Sequence, residues 1–268
     1  MRLFGRIEFY VFNQESLKMM LYDVKSDERG FTLVELAIVM IIIGLLIGGV
    51  LKGQELIKNA QVASTITQVK GYNGAVSTFD DMYSGVPGDL RNAGNRIPDC
   101  TVANGCIFAG GAANLGNRRI DVLPDVAPAT ESVAFWVQMS QANLISGIRS
   151  DGGNLFDERL PSAKIGGGFH IGFSRTGQTG HFGQVDGATQ LRSGHYLALN
   201  NNAGAAISAL SATLSPNVAQ RLDTKLDDGN GESGSVRAFS GDESCSTGGV
   251  YNETESDGRC GLYIRVME

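Results

Sequence analysis

A run of 21 residues, Phe31 to Leu51, has Thr32 and Glu35 as its only polar side chains, and it governs every fold open to this chain. Wound as an α-helix rising about 1.5 Å per residue, it is long enough to cross a hydrocarbon core of about 30 Å. A chain with such a segment must divide itself between lipid and water. Glu35 is the anomaly, because an ionisable group in an apolar helix is costly unless a partner neutralises it. A free amine would serve. If the chain were cut after Gly30, the new α-amino group of Phe31 could neutralise Glu35 of a neighbouring copy within a helical assembly.

The order Gly30-Phe31-Thr32-Leu33-Val34-Glu35, continuing into the apolar run, resembles the class III signal of type IV pilins and type II secretion pseudopilins. The resemblance implies that a prepilin peptidase cleaves after Gly30 and methylates Phe31, and that Glu35 guides subunit docking. The partners it implies are other pilin or pseudopilin subunits, that peptidase, an inner-membrane assembly platform and membrane lipid. It places the chain in a bacterial inner membrane, crossing once with its head in the periplasm, and then in a pilus or periplasmic filament. The implied fold is α+β: a long N-terminal helix, membrane-spanning in its first half, packed on a globular head with an antiparallel β-sheet. Within that class the large head points to a minor or adhesive pilus subunit, and a type II secretion pseudopilin is the alternative. Glu35 argues against the tip pseudopilin that typically lacks this acid. A rival reading is a periplasmic binding or enzymatic domain that uses the signal as an anchor.

The chain reads as four segments: a leader at 1–30, the membrane and assembly half of the helix at 31–51, its periplasmic half at 52–86, and an α+β head at 87–268. The leader holds five basic and five acidic residues, so the net charge of −6 belongs to residues 31–268. Family leaders before a mature Phe are usually short and basic, which this one is not. Translation from Met19 or Met20 would leave one of about ten residues. Lys25 and Arg29 precede the span and Lys52 and Lys58 come after it, a weak asymmetry that leaves orientation to the resemblance.

Beyond the span, Leu56, Ala60, Ala63, Ile66, Val69, Tyr72, Val76, Phe79 and Tyr83 recur at spacings of three and four, which predicts a continuing helix with one apolar face. Gly44, Gly48, Gly49 and Gly53 would allow either local melting or close helix packing. Gly71 and Gly74 weaken the case for one unbroken helix, and Gly85 with Pro87-Gly88 should end it. Residues 91–128 show almost no periodicity. A helix is expected from Thr130 to Ile145, capped by Thr130 and with Trp136 in the core. Glycine-bounded strand patterns occupy 168–174 and 195–200. Ser215-Pro216 opens a helix to Leu226, Ser215 serving as cap, and 261–266 reads as a last strand.

Four cysteines in a head facing an oxidising compartment favour disulfides, and three pairings are possible. Cys100 with Cys106 and Cys245 with Cys260 are preferred, because both close local loops and the second would brace the C-terminal strand as in many pilins. Asp223, Asp227, Asp228 and Glu232 are weak candidates for calcium, which major pseudopilins bind in C-terminal loops. EF-hand spacing fails, and a solvated turn is the simpler reading. No cofactor is expected otherwise. His170, His181 and His195 are scattered, and no nucleophile elbow, phosphate loop or zinc motif is present, so the chain does not read as an enzyme. After the leader, 17 basic residues face 23 acidic ones, which argues against nucleic acid apart from a local patch at Arg118-Arg119.

Overall fold

In the computed structural model the described residues are 32–108, 115–121, 130–175, 191–201, 213–239, 245–254 and 260–267. The chain divides into two compact units, Met1–Gly53 and Gln54–Glu268. The element that begins in the first and ends in the second is α1 (Leu33–Tyr83), 51 residues of α-helix. Gly44, Gly48, Gly49, Gly53, Gly71 and Gly74 all lie within it. Its end falls at Tyr83, short of 86, because Ser84 already takes a left-handed φ of 51° and Pro87 then denies the helix a donor.

In the first unit, every residue from Leu33 to Lys52 is exposed. Leu33 is 89% and Ile41 70% accessible. In the second unit the same helix becomes amphipathic: Val62, Ile66, Val69, Val76 and Phe79 are buried, whereas Thr67, Lys70, Gly71, Gly74 and Thr78 face out. The buried stripe starts later than the spacing predicts, since Leu56, Ala60 and Ala63 remain exposed. Burial of each large apolar side chain contributes about 1.5–3 kcal/mol. Tyr72 locks this face to the rest of the core, its ring meeting Trp136 edge-on at 4.9 Å and Phe169 at 5.7 Å.

Two further helices precede the main sheet. The short α2 (Ala93–Arg96) lies within the aperiodic stretch. Trp136 belongs to α3 (Glu131–Gln141), which is buried from Glu131 to Met139. Thr130 caps it, accepting a hydrogen bond from the Val133 N–H at 3.3 Å. The helix stops at Gln141 rather than at 145, since a turn comes next and Asn143 is left-handed.

The main sheet comprises β1 (Gly168–Ser174), β2 (Gly194–Asn200), β3 (Val236–Phe239) and β6 (Gly261–Met267), in the order β1-β2-β6-β3 and antiparallel throughout. A helix, α4 (Pro216–Leu226), precedes β3, and a two-stranded ribbon, β4 (Ser246–Thr247) with β5 (Val250–Tyr251), lies between β3 and β6. The registers Phe169↔Leu199, Ile171↔Leu197 and Leu197↔Ile264 put these apolar residues on one face with the main core. Tyr196, Ala198, Tyr263 and Phe239, on the other face, form a second cluster with Leu191. Every position of β1 and β2 is buried, so this sheet is an interior layer. The architecture is therefore α+β, a long apolar helix and then a head with an antiparallel sheet.

Gly88 (φ 84°) is where the chain turns from α1 into the head. A Cβ there would stand 2.3 Å from the Glu131 carbonyl oxygen, so the turn requires glycine.

Candidate functional site

The candidate assembly site is the start of α1. Thr32 and Glu35 form a reciprocal cap: the Glu35 N–H donates to Thr32 Oγ1 at 3.2 Å, and Glu35 Oε2 accepts from the Thr32 N–H and from Thr32 Oγ1, each at 2.9 Å. Two orphan donors of the helix terminus are thereby satisfied from within. The pattern Thr-x-x-Glu before an apolar run announces such a box, and a reading of Glu35 as a docking acid alone passes over it. The carboxylate is thus held at the helix start, at the head of an exposed apolar cylinder. Gly30 and Phe31 lie outside the described residues.

Cysteines at 100 and 106 are joined, with Cα atoms 5.1 Å apart, and those at 245 and 260 are joined with Cα atoms 5.0 Å apart. Cys260 immediately precedes β6, and the Leu214 and Cys260 main chains exchange hydrogen bonds at 2.9 Å, so the second bridge ties the ribbon region to the last strand.

Asp223, Asp227 and Asp228 converge, with one oxygen from each within 4.8 Å of the others, and Glu232 is not among them. Asp223 is buried and accepts from the Tyr251 hydroxyl at 2.8 Å and the Gly229 N–H at 3.3 Å. Burial, aided by the charges of Asp228 and Asp227, pushes its carboxyl up to about 6 against the pull of those bonds. Asp227 accepts from the Ser235 and Val236 N–H groups, and Asp228 from the Asn230 N–H and the Ser233 hydroxyl. These bonds fasten the turn between α4 and β3.

Among the described residues, His170 and His195 are not brought together. His170 is buried on β1, where burial drops its imidazole to about 4, with Nδ1 3.1 Å from the Asn200 amide nitrogen. His195 lies opposite Phe173, ring centroids 5.0 Å apart, and His181 is outside the described residues. The Arg118-Arg119 pair is not a bare basic patch. Arg118 bridges to Asp80 at 2.8 Å, and the Arg119 guanidinium lies 5.1 Å over the Phe173 ring.

Fold and helix start together define an apolar-helix protein with an α+β, disulfide-bonded head. Residues 25–51 match the family model described as the prokaryotic N-terminal methylation motif, which is the prepilin signal of type IV pilins and pseudopilins. The match covers the helix start and the apolar run and none of the head. No curated protein and no solved structure matches the chain. A pilin-like precursor of structural type, anchored in an inner membrane by its apolar helix, fits both findings.

Proposed function

We propose that this chain is a structural subunit of a type IV pilus or pilus-like filament, cleaved after Gly30, methylated at Phe31 and polymerised through its N-terminal helix. The observation that carries this reading is a methylation motif laid directly over an apolar helix segment with no buried residue from Leu33 to Lys52. Such a surface is complete only in lipid or among other helices. Before assembly the segment sits in the inner membrane with the head in the periplasm, and afterwards it lies among copies of itself or of related subunits. The head favours a minor or adhesive subunit of a pilus over a secretion pseudopilin. Its described part alone carries two sheets, three helices besides α1 and two disulfides, more than a thin repeating subunit needs.

Glu35 is the docking acid in this reading, and the cap geometry dictates how to test it. Glu35→Val removes both the charge and the cap, whereas Glu35→Gln removes the charge and can retain the reciprocal hydrogen bonds. The measurement is the variant-to-wild-type ratio in sheared filaments, divided by the same ratio in inner membrane, with wild-type subunits present. Both variants should fall by about tenfold or more, since an unmatched amine in a low-dielectric assembly is strongly disfavoured. Full rescue by Gln would make Glu35 a capping residue, and an unchanged ratio for both would remove the docking role.

A further inference from the structure

A depression of about 330 Å³ opens on the head where the turn after α1 passes the first disulfide loop. It is built before any ligand arrives. Gln138, buried on α3, accepts from the Gly88 N–H at 2.6 Å and donates to the Cys106 carbonyl at 2.9 Å, so one side chain fixes two of its walls. The Cys100–Cys106 bridge closes the loop that leads into Ile107, and Leu115, another lining residue, accepts at its carbonyl from Arg91 Nε at 2.6 Å, Arg91 itself lying outside the lining.

The chemistry of the lining is narrow. No charged side chain takes part in it among the described residues, so an ionised ligand would lose water without gaining a counter-charge. Leu90 and Ala93 are buried beneath, and Ile107 and Phe108 are half-buried beside them. Asn92 and Asn95, three positions apart, are exposed, and among the described residues neither side chain enters a hydrogen bond. Asn92 holds a φ of 57° just before α2, yet its side chain does not cap that turn. Each amide offers two donors and an acceptor.

From this set we infer that the head binds an uncharged saccharide, one or two rings in size, in this depression. Neighbouring hydroxyls, each donor and acceptor, match the paired amides of Asn92 and Asn95. The C–H face of a pyranose matches Phe108 and the apolar floor. The volume lies at the low end of small-molecule sites and suffices for one or two sugar rings, and the phosphate of a nucleotide would find no charged side chain in the lining. The inference goes beyond the filament role, and its readout does not depend on assembly.

The test uses the full chain purified in a zwitterionic detergent, because sugar-headed detergents would compete. Saturation-transfer NMR and titration calorimetry are run with a panel of neutral hexoses and N-acetylhexosamines, and with sialic acid as the anionic member. At least one neutral sugar should bind saturably in the millimolar range, and sialic acid should not. Asn92→Gly combined with Asn95→Ala should weaken that binding by about tenfold or more while thermal unfolding stays at the wild-type midpoint, glycine being chosen because it keeps the left-handed backbone. Phe108→Ala, a second and independent variant, should weaken it as well. The inference is overturned if no neutral sugar binds, if sialic acid binds as well as the neutral sugars, or if both variants bind as the wild type does.

Discussion

Residues 33–53 and 54–83 belong to one helix and obey different rules. In the first stretch, leucine, isoleucine, valine and methionine occur on all sides, each exposed, and Gly44, Gly48 and Gly49 have nothing within 4 Å of where a Cβ would stand. In the second, from Val62 onward, a buried apolar stripe runs along one face, with lysine, threonine and glycine on the other. A helix that is apolar all round is written for lipid or for other helices, and one with a single apolar stripe is written for a core in water. The difference separates the part of α1 suited to lipid or to other helices from the part that builds the head's core.

Cutting into the second stretch should have the greatest consequence. Phe79 is fully buried, and Phe79→Ala should cost about 3–5 kcal/mol of head stability, whereas Ile41→Ala should leave it within about 0.5 kcal/mol. Chemical denaturation monitored by tryptophan fluorescence reads the head, since Trp136 is the one tryptophan of the chain. Equal losses from the two substitutions would erase the distinction.

Acid should separate the regions next. The imidazole of His170 is held at about 4 by burial, against an unfolded value near 6.5, so between these values the unfolded chain binds the extra proton. The contribution of this group is therefore fully present above pH 6.5 and falls by about 3 kcal/mol as pH drops towards 4, while Asp223, its carboxyl raised to about 6 by burial, contributes in the opposite direction over the same range. His170→Gln should remove that loss, so the variant gains stability relative to the wild type as pH falls from 6.5 towards 4. The apolar segment in detergent should keep its helical circular dichroism throughout, and an unchanged slope in the variant would put the acid sensitivity elsewhere.

How much of the molecule is legible in its sequence depends on the same physics. The helices α1, α3 and α4 and the strands β1, β2 and β6 are long enough for periodicity and caps to show, and the tryptophan can be assigned to the core from its helical face. Four-residue β3 and the two-residue strands β4 and β5 are too short to display an alternation, and nonlocal pairing with β6 creates β3. Ser215 has the residue type of a cap, yet its side chain makes no cap bond, and its carbonyl instead accepts from the Val218 and Ala219 N–H groups at 3.0 Å. The Thr32–Glu35 box is written in the sequence but overshadowed by the cost of an acid in an apolar run. Clustering of Asp223, Asp227 and Asp228 is visible there too, while the donors that occupy them, Tyr251 and Ser235 among others, come from later in the chain.

A smaller change probes the outer face of the second stretch. Gly71 and Gly74 are exposed, with open space where a Cβ would stand. Alanine at either should stabilise the head by about 0.5–1 kcal/mol, read as a raised thermal midpoint. If the stabilised variants also enter filaments less well, the glycines are there for close approach of a neighbouring subunit. If incorporation is unchanged, the face is solvent-exposed in the assembly too.

If Gly30-Phe31 marks the start of a subunit that leaves the membrane for a filament, the filament must hold the chain in its processed form. Intact mass spectrometry of the chain in sheared filaments, beside the chain in inner membrane, reads this without any substitution. The sheared fraction should contain the chain beginning at an N-methylated Phe31. A chain confined to the membrane fraction with its Gly30–Phe31 bond intact, in cells that contain the peptidase, would show that the helix is an anchor and no more.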